Sequence, residues 1–305
     1  MLVLSIVFVV FRSQEIRDWW VLRGYVPSAR VEKIGTETTM TDYARNLFYV
    51  HNPQIEPSNK FNLDCTIAEA SIVLGCYNGT GIFIYEVTDA RLAGVQEVTA
   101  AHEMLHAGYD RLSDKERERV DILTAREMAK ITDERLRTVI ASYRSRDANI
   151  VPNELHSILG TEVRNIDPEL ETYYKKYFTN RSAVVALSEK YEQVFTDSKA
   201  KVERYDAELA LIKSQVDILE KDLDIRADDL AIDKAELDRL AKTNRVSEYN
   251  NKVPSYNQNV NSYNLDLERY KGLIDEYNGK VVERNSLTVE QNSLIKSLDS
   301  KAQEL

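Results

Sequence analysis

Apolar positions in the first third of the chain come in short, interrupted runs, whereas the last third follows a seven-residue repeat. Residues 14 to 60 mix aromatic and polar positions, among them Trp19, Trp20 and Asn52-Pro53-Gln54. That patterning predicts one short helix near Thr41 to Tyr49 followed by loops. Two β-rich runs, Ile72 to Tyr77 and Ile82 to Val87, flank an Asn78-Gly79 turn and predict a hairpin. From Val95 to Tyr109 the spacing becomes helical. Ser113 and Glu116 make a capping-box pair that opens a helix running to about Arg146. Pro152 opens the next helix, through about Val163, and Asp167-Pro168 supply the N-cap and first residue of another.

Beyond about Leu187 the pattern is that of a coiled coil. Apolar positions from Leu187 to Leu240 recur at three-four spacing, with a four-residue step near Val202 that reads as a stutter. A second seam is more regular. Tyr249, Tyr256, Tyr263, Tyr270 and Tyr277 recur every seventh residue, interleaved with Val253, Val260, Leu267, Ile274 and Val281. Pro254 falls between the seams and cannot donate its backbone to a continuing helix. The sequence therefore allows a reversal near Lys252-Val253-Pro254 that folds the seams into an antiparallel hairpin, or a bent rod that dimerises. Tyrosine seams keep hydroxyls near the rim and suit a reversible helical partner, with Asn257, Asn264 and Asn278 placed to fix register. A coiled-coil partner and self-association both fit.

Composition sharpens this picture. Only 10 Gly and 6 Pro serve 305 residues at 43% hydrophobic content, as expected for a helix-dominated α+β chain. The net charge of −10, with both signs mixed, leaves no basic patch to neutralise a phosphate backbone, which argues against nucleic acid as a partner. The apolar run Leu2 to Phe11 is about half the length of a membrane span and lacks the basic start of a secretory signal. It reads either as the remnant of an anchor, making the chain membrane-associated or extracytoplasmic, or as a buried strand of a cytoplasmic protein. A disulfide between Cys65 and Cys76 would favour the exported reading, and two free core thiols the other.

The chemistry concentrates in Thr99-Ala100-Ala101-His102-Glu103-Met104-Leu105-His106-Ala107. Two imidazoles four residues apart on a helix differ by about 40° in direction and roughly one turn in height, so both can point at one ion, with Zn2+ the expected metal. Glu103, beside the first histidine, is placed to take a proton from water at the remaining coordination position, where the ion brings the water's pKa toward ~7. A catalytic zinc needs a third protein ligand. The predicted helix carrying Asn153-Glu154-Leu155-His156 and Glu162 offers three, of which Glu154 is the choice and His156 and Glu162 the rivals.

This constellation resembles the gluzincin clan of zincin metallopeptidases, in which a glutamate from a downstream helix joins the two motif histidines. Asn153-Glu154 resembles the Asn-Glu pair that carries this ligand in thermolysin-like enzymes, and Glu162 resembles a second acidic position that orients a ligand histidine. The likeness covers residues 95 to 181. It departs from thermolysin-like enzymes in the longer separation of His106 from Glu154, and lacks the extra histidine and glycine of metzincins. It implies a zinc peptidase acting on a peptide or protein substrate, with a zincin-like unit at residues 14–185, a coiled coil at 186–305 and an anchor remnant at 1–13. Tyr173, Tyr174, Tyr177 and Arg181 are candidates to stabilise an oxyanion, or else a helix face packed on the core. Ile82 to Val87 is the candidate edge strand for an extended substrate, or an interior strand. The competing reading is a coiled-coil scaffold bearing an inactive zincin-like metal module.

Overall fold

The computed structural model describes residues 13–66 and 72–303; the apolar run Leu2 to Phe11 lies outside the described residues. The chain forms a compact unit, Met1–Phe195 with Ser293–Leu305, and a second unit, Thr196–Asn292. Among the described residues, no helix is long and apolar enough to cross a membrane.

The N-terminal region is more helical than its patterning predicts. Helices α1 (Ser13–Gly24), α2 (Ala29–Glu37) and α3 (Asp42–Val50) precede strand β1 (Gln54–Glu56) and helix α4 (Ser58–Asp64). Only α3 is the expected helix, with Thr41 as its N-cap. Strands β2 (Gly75–Tyr77) and β3 (Ile82–Tyr85) form the expected hairpin, with Gly79 at φ 85° in the turn. The sheet order is β1-β3-β2, so β3 is the central strand and β2 an edge. This corrects the placing of a substrate-binding edge at Ile82 to Val87. β1 reaches across from upstream to pair parallel with β3, a long-range contact that local patterning does not encode.

Helix α5 (Val95–Asp110) crosses one face of the sheet and buries Ala100, Ala101, Met104 and Leu105 against it and against α8 (Val151–Thr161). On the other sheet face Phe61, Tyr85, Cys76 and Leu92 meet Leu294 and Leu298 from near the chain's end. Those last residues, which the heptad reading gives to the rod, belong to the compact unit. Cys65 and Cys76 are joined by a disulfide, which ties the end of α4 to β2. The capping box of Ser113 and Glu116 opens α6 (Asp114–Met128), but the segment to Arg146 is two helices. Asp133 accepts from the Leu136 amide and starts α7 (Glu134–Arg146) afresh. α9 (Pro168–Tyr174) begins at the expected Asp167 cap.

The second unit is an antiparallel hairpin built from the greater part of α10 (Arg181–Lys242) and α11 (Val246–Leu298). Its ion pairs match early residues of one helix to late residues of the other: Asp206 with Arg284, Glu208 with Lys280, Arg226 with Asp266, and Asp233 with Lys252. The reversal lies at residues 243–245, where Asn244 takes φ 58°, and not at Pro254. Asparagine tolerates the left-handed conformation that closes the turn. Pro254 stands near the start of α11 on its exposed side, where water can satisfy the hydrogen bond its ring removes. Asn257, Asn264 and Asn278 are exposed beside the seam.

Candidate metal centre

Helix α5 is capped by Gly94, whose φ of 108° and 3.0 Å approach of a built Cβ to the Leu187 carbonyl oxygen would strain any other residue there. The helix buries its small-residue face and turns His102 and His106 toward a cleft of about 690 Å³. Their ring centroids lie 4.7 Å apart. From α8, Glu154 brings Oε2 to 3.7 Å from His102 Nε2 and 3.8 Å from His106 Nε2. Tetrahedral ligands about 2.0–2.1 Å from an ion stand roughly 3.3 Å from one another, so small side-chain adjustments would close this triad on a divalent cation.

Two details speak to the fit. Glu154 Oε2 is buried and has no hydrogen-bond partner, an arrangement that costs about 1–3 kcal/mol unless something fills it. Burial alone would raise the Glu154 carboxyl, but the two imidazoles outweigh it and hold its pKa below the ordinary carboxylate value. His106 Nδ1 lies 2.9 Å from Asn153 Oδ1, an acceptor, so Nδ1 carries a proton and Nε2 is the ring nitrogen turned toward Glu154. Asn153 and Glu154 thus act on the same site from adjacent positions, one fixing a ligand ring and the other facing it.

Glu103 is 7% exposed and packs against β2. A Cβ on Gly75 would come within 2.4 Å of Thr99 Cγ2 and 3.0 Å of Glu103 Cγ, so a bare backbone is what lets the strand lie against this carboxylate. Tyr85 donates its amide to Leu74 at 2.8 Å, and Asn78 donates to Gly81 at 3.3 Å. By the alternation of an antiparallel ladder, Gly75 and Tyr77 therefore turn their backbone groups to the open edge, along the cleft.

The other residues singled out from sequence lie elsewhere. His156 is wholly buried in a cage of Tyr109, Tyr173, Tyr174 and Tyr177, with Nε2 2.9 Å from the Tyr173 hydroxyl. Burial, helped by His106 and His102, pushes its pKa down to about 3, so it stays a neutral core group. Glu162 does not orient a histidine; it accepts from Arg135, which also bridges to Glu192, both at 2.8 Å. Burial outweighs that ion pair and pushes the Glu192 carboxyl up to about 7. Tyr174 and Tyr177 are fully buried, and Arg181 donates to the carbonyls of Leu159, Val163 and Arg164, closing the end of α8. These side chains are therefore core, and the cleft wall is built instead by Arg135, Tyr143 and Tyr191. Nothing in the local sequence marks those three: Arg135 and Tyr143 come from α7 and Tyr191 from α10. Asn153 had a signal, its place next to Glu154.

No protein-family model, curated protein or solved structure matches the chain.

Proposed function

We propose that the chain is a zinc-dependent peptidase of the zincin type, its compact unit hydrolysing peptide bonds in substrates laid extended along β2. The observation that carries this reading is the meeting of His102, His106 and the orphaned Glu154 oxygen, with Glu103 beside them in an open cleft. Two imidazole nitrogens and one carboxylate oxygen suit Zn2+, and three protein ligands leave a position open for chemistry. When bound, the ion supplies Lewis acidity and lowers the pKa of a water toward ~7.

The chain's own residues account for the rest. Glu103 takes the proton of the attacking water and returns it to the departing amine, a transfer worth about 10²–10⁴-fold in rate. Asn153 holds the His106 ring in one tautomer. Gly75 and Tyr77 offer outward amides and carbonyls to an extended backbone, which gives affinity without demanding a particular side chain. The disulfide at Cys76 holds that strand in place.

The test uses purified full chain loaded with zinc and a quenched-fluorescence peptide library. Wild type should carry one zinc per chain and cleave. Glu103→Gln should keep the metal and lose about 10²–10⁴-fold in rate. Stoichiometric zinc without cleavage by wild type would favour the scaffold reading instead, which the 97-residue hairpin Thr196–Asn292 supports.

A further inference from the structure

Helix α1 holds both tryptophans of the chain and directs them outward. Ile16, Trp19, Trp20 and Arg23 follow i, i+3, i+4, i+7 spacing and so share one face of the helix. Ile16 is 45%, Trp19 53% and Trp20 65% exposed. The opposite face is fastened down. Asp18 accepts from Arg111 at 2.5 and 3.1 Å, and Arg111 is the residue that ends α5, the helix of His102 and His106. Tyr25, just past α1, lies ring to ring with Tyr49 at 5.4 Å. The tryptophan face is therefore held outward by contacts behind it.

The chemistry of that face identifies what covers it. Trp19 and Trp20 meet edge to face with centroids 5.4 Å apart, and the Arg23 guanidinium sits 4.5 Å over the Trp19 ring. Indole rings with a guanidinium at their rim have the composition that settles at the level of lipid headgroups: the rings enter the acyl boundary, and the charged end snorkels to phosphate and water. A helix of 12 residues is only about 18 Å long, and its one face is a small part of the ~800 Å² that a standard protein–protein interface takes from each partner, so a protein partner would need contacts beyond this helix. A bilayer makes no such demand. Directly upstream stands the apolar sequence Leu2 to Phe11, ten residues with no charge, which adds partitioning free energy at the same end of the chain.

We propose that α1 is an interfacial helix that lays Ile16, Trp19, Trp20 and Arg23 on a lipid bilayer. This rests on no assumption about catalysis. It places the compact unit at a membrane surface through the helix that also braces the end of α5.

Both tryptophans lie on α1, so tryptophan emission, excited at the red edge where the chain's 17 tyrosines do not absorb, reports this helix. Vesicles of phosphatidylcholine, and of equimolar phosphatidylcholine and phosphatidylglycerol, should shift the emission to shorter wavelength. The same lipids brominated on the acyl chains should quench it. Trp19→Ser with Trp20→Ser should weaken co-sedimentation with vesicles by roughly tenfold or more, with zinc content and helicity unchanged because both rings are exposed. Emission unmoved by either vesicle overturns the proposal, even if the chain still sediments with lipid. So does co-sedimentation of the double variant equal to wild type. A blue shift that grows with protein concentration in the absence of lipid overturns it in favour of a second copy.

Discussion

The compact unit, patterned in short apolar runs, and the hairpin, patterned in heptads, reach different depths of burial. Phe48, Ile84, Met104, Leu159 and Tyr174 are wholly removed from solvent. In the hairpin the deepest position is Leu240 at 3%, and the five seam tyrosines are only half-buried. Leu211, Ile218, Ile225 and Ile232, spaced one heptad apart on α10, stay 62–68% exposed. A seam between two helices covers each side chain from one direction, whereas a sheet packed on both faces covers it from all. The repeat sets which way a side chain points; the number of layers sets how dry it becomes. The candidate metal centre lies in the layered unit, where the Glu154 oxygen is buried without a hydrogen-bond partner.

The sharpest way to break this comparison is at Glu154. Glu154→Ala should abolish stoichiometric zinc binding by elemental analysis while the fold persists, and Asn153→Ala should weaken affinity by about 10–100-fold. Equivalent losses from a hairpin substitution such as Lys252→Ala would mean that the site is not confined to the layered unit. Packing comes next. A Cβ at Gly160 would meet Leu105 Cδ1 at 2.4 Å and Tyr174 Cε1 at 2.9 Å, so Gly160→Ala should destabilise the compact unit by about 1–3 kcal/mol in denaturant unfolding.

Titration comes third. Glu192 ionises near 4.5 in an unfolded chain and at about 7 when folded, because burial outweighs its pairing with Arg135. Between those values the folded state keeps a proton that the unfolded state has released. Its contribution is complete below about pH 4.5 and is lost as pH rises through 7, by up to about 1.4 kcal/mol per pH unit. Glu192→Gln should flatten that part of a melting-temperature profile. The hairpin should supply no such slope, since its ion pairs are largely exposed and worth little. The smallest effect is a gain. Nothing stands within 4 Å of a Cβ built at Gly279 in the interior of α11, so Gly279→Ala should stabilise the hairpin by about 0.5–1 kcal/mol in thermal circular dichroism. A loss there would mean a neighbour packs on that face.

Much of the architecture was legible where local chemistry dictates it. The caps at Ser113 and Asp167, the Gly79 turn and the helix of His102 and His106 all follow from residues within four positions of one another. The antiparallel hairpin was one of two open readings, and its reversal was misplaced because Pro254 is a louder signal than Asn244. The parallel pairing of β1 with β3 joins Ile55 to Ile84 over 29 residues, a distance at which spacing carries no information. The same holds for the site. His102, Glu103 and His106 are neighbours in the chain, and Glu154 stands out from its two rivals, His156 and Glu162, by its setting beside Asn153. Arg135, Tyr143 and Tyr191 reach the cleft only through helix packing. His156 shows the converse: a residue type suited to a metal whose surroundings, four tyrosines, make it part of the interior.

The bridge between Cys65 and Cys76 adds a different kind of dependence. Cys76 is the middle residue of the rim strand, and its partner ends the helix behind it. A thiol reductant would leave that rim held by three paired residues at the border of a sheet, the type of segment that frays first. The mouth of the cleft thus keeps a record of the redox conditions under which the chain matured.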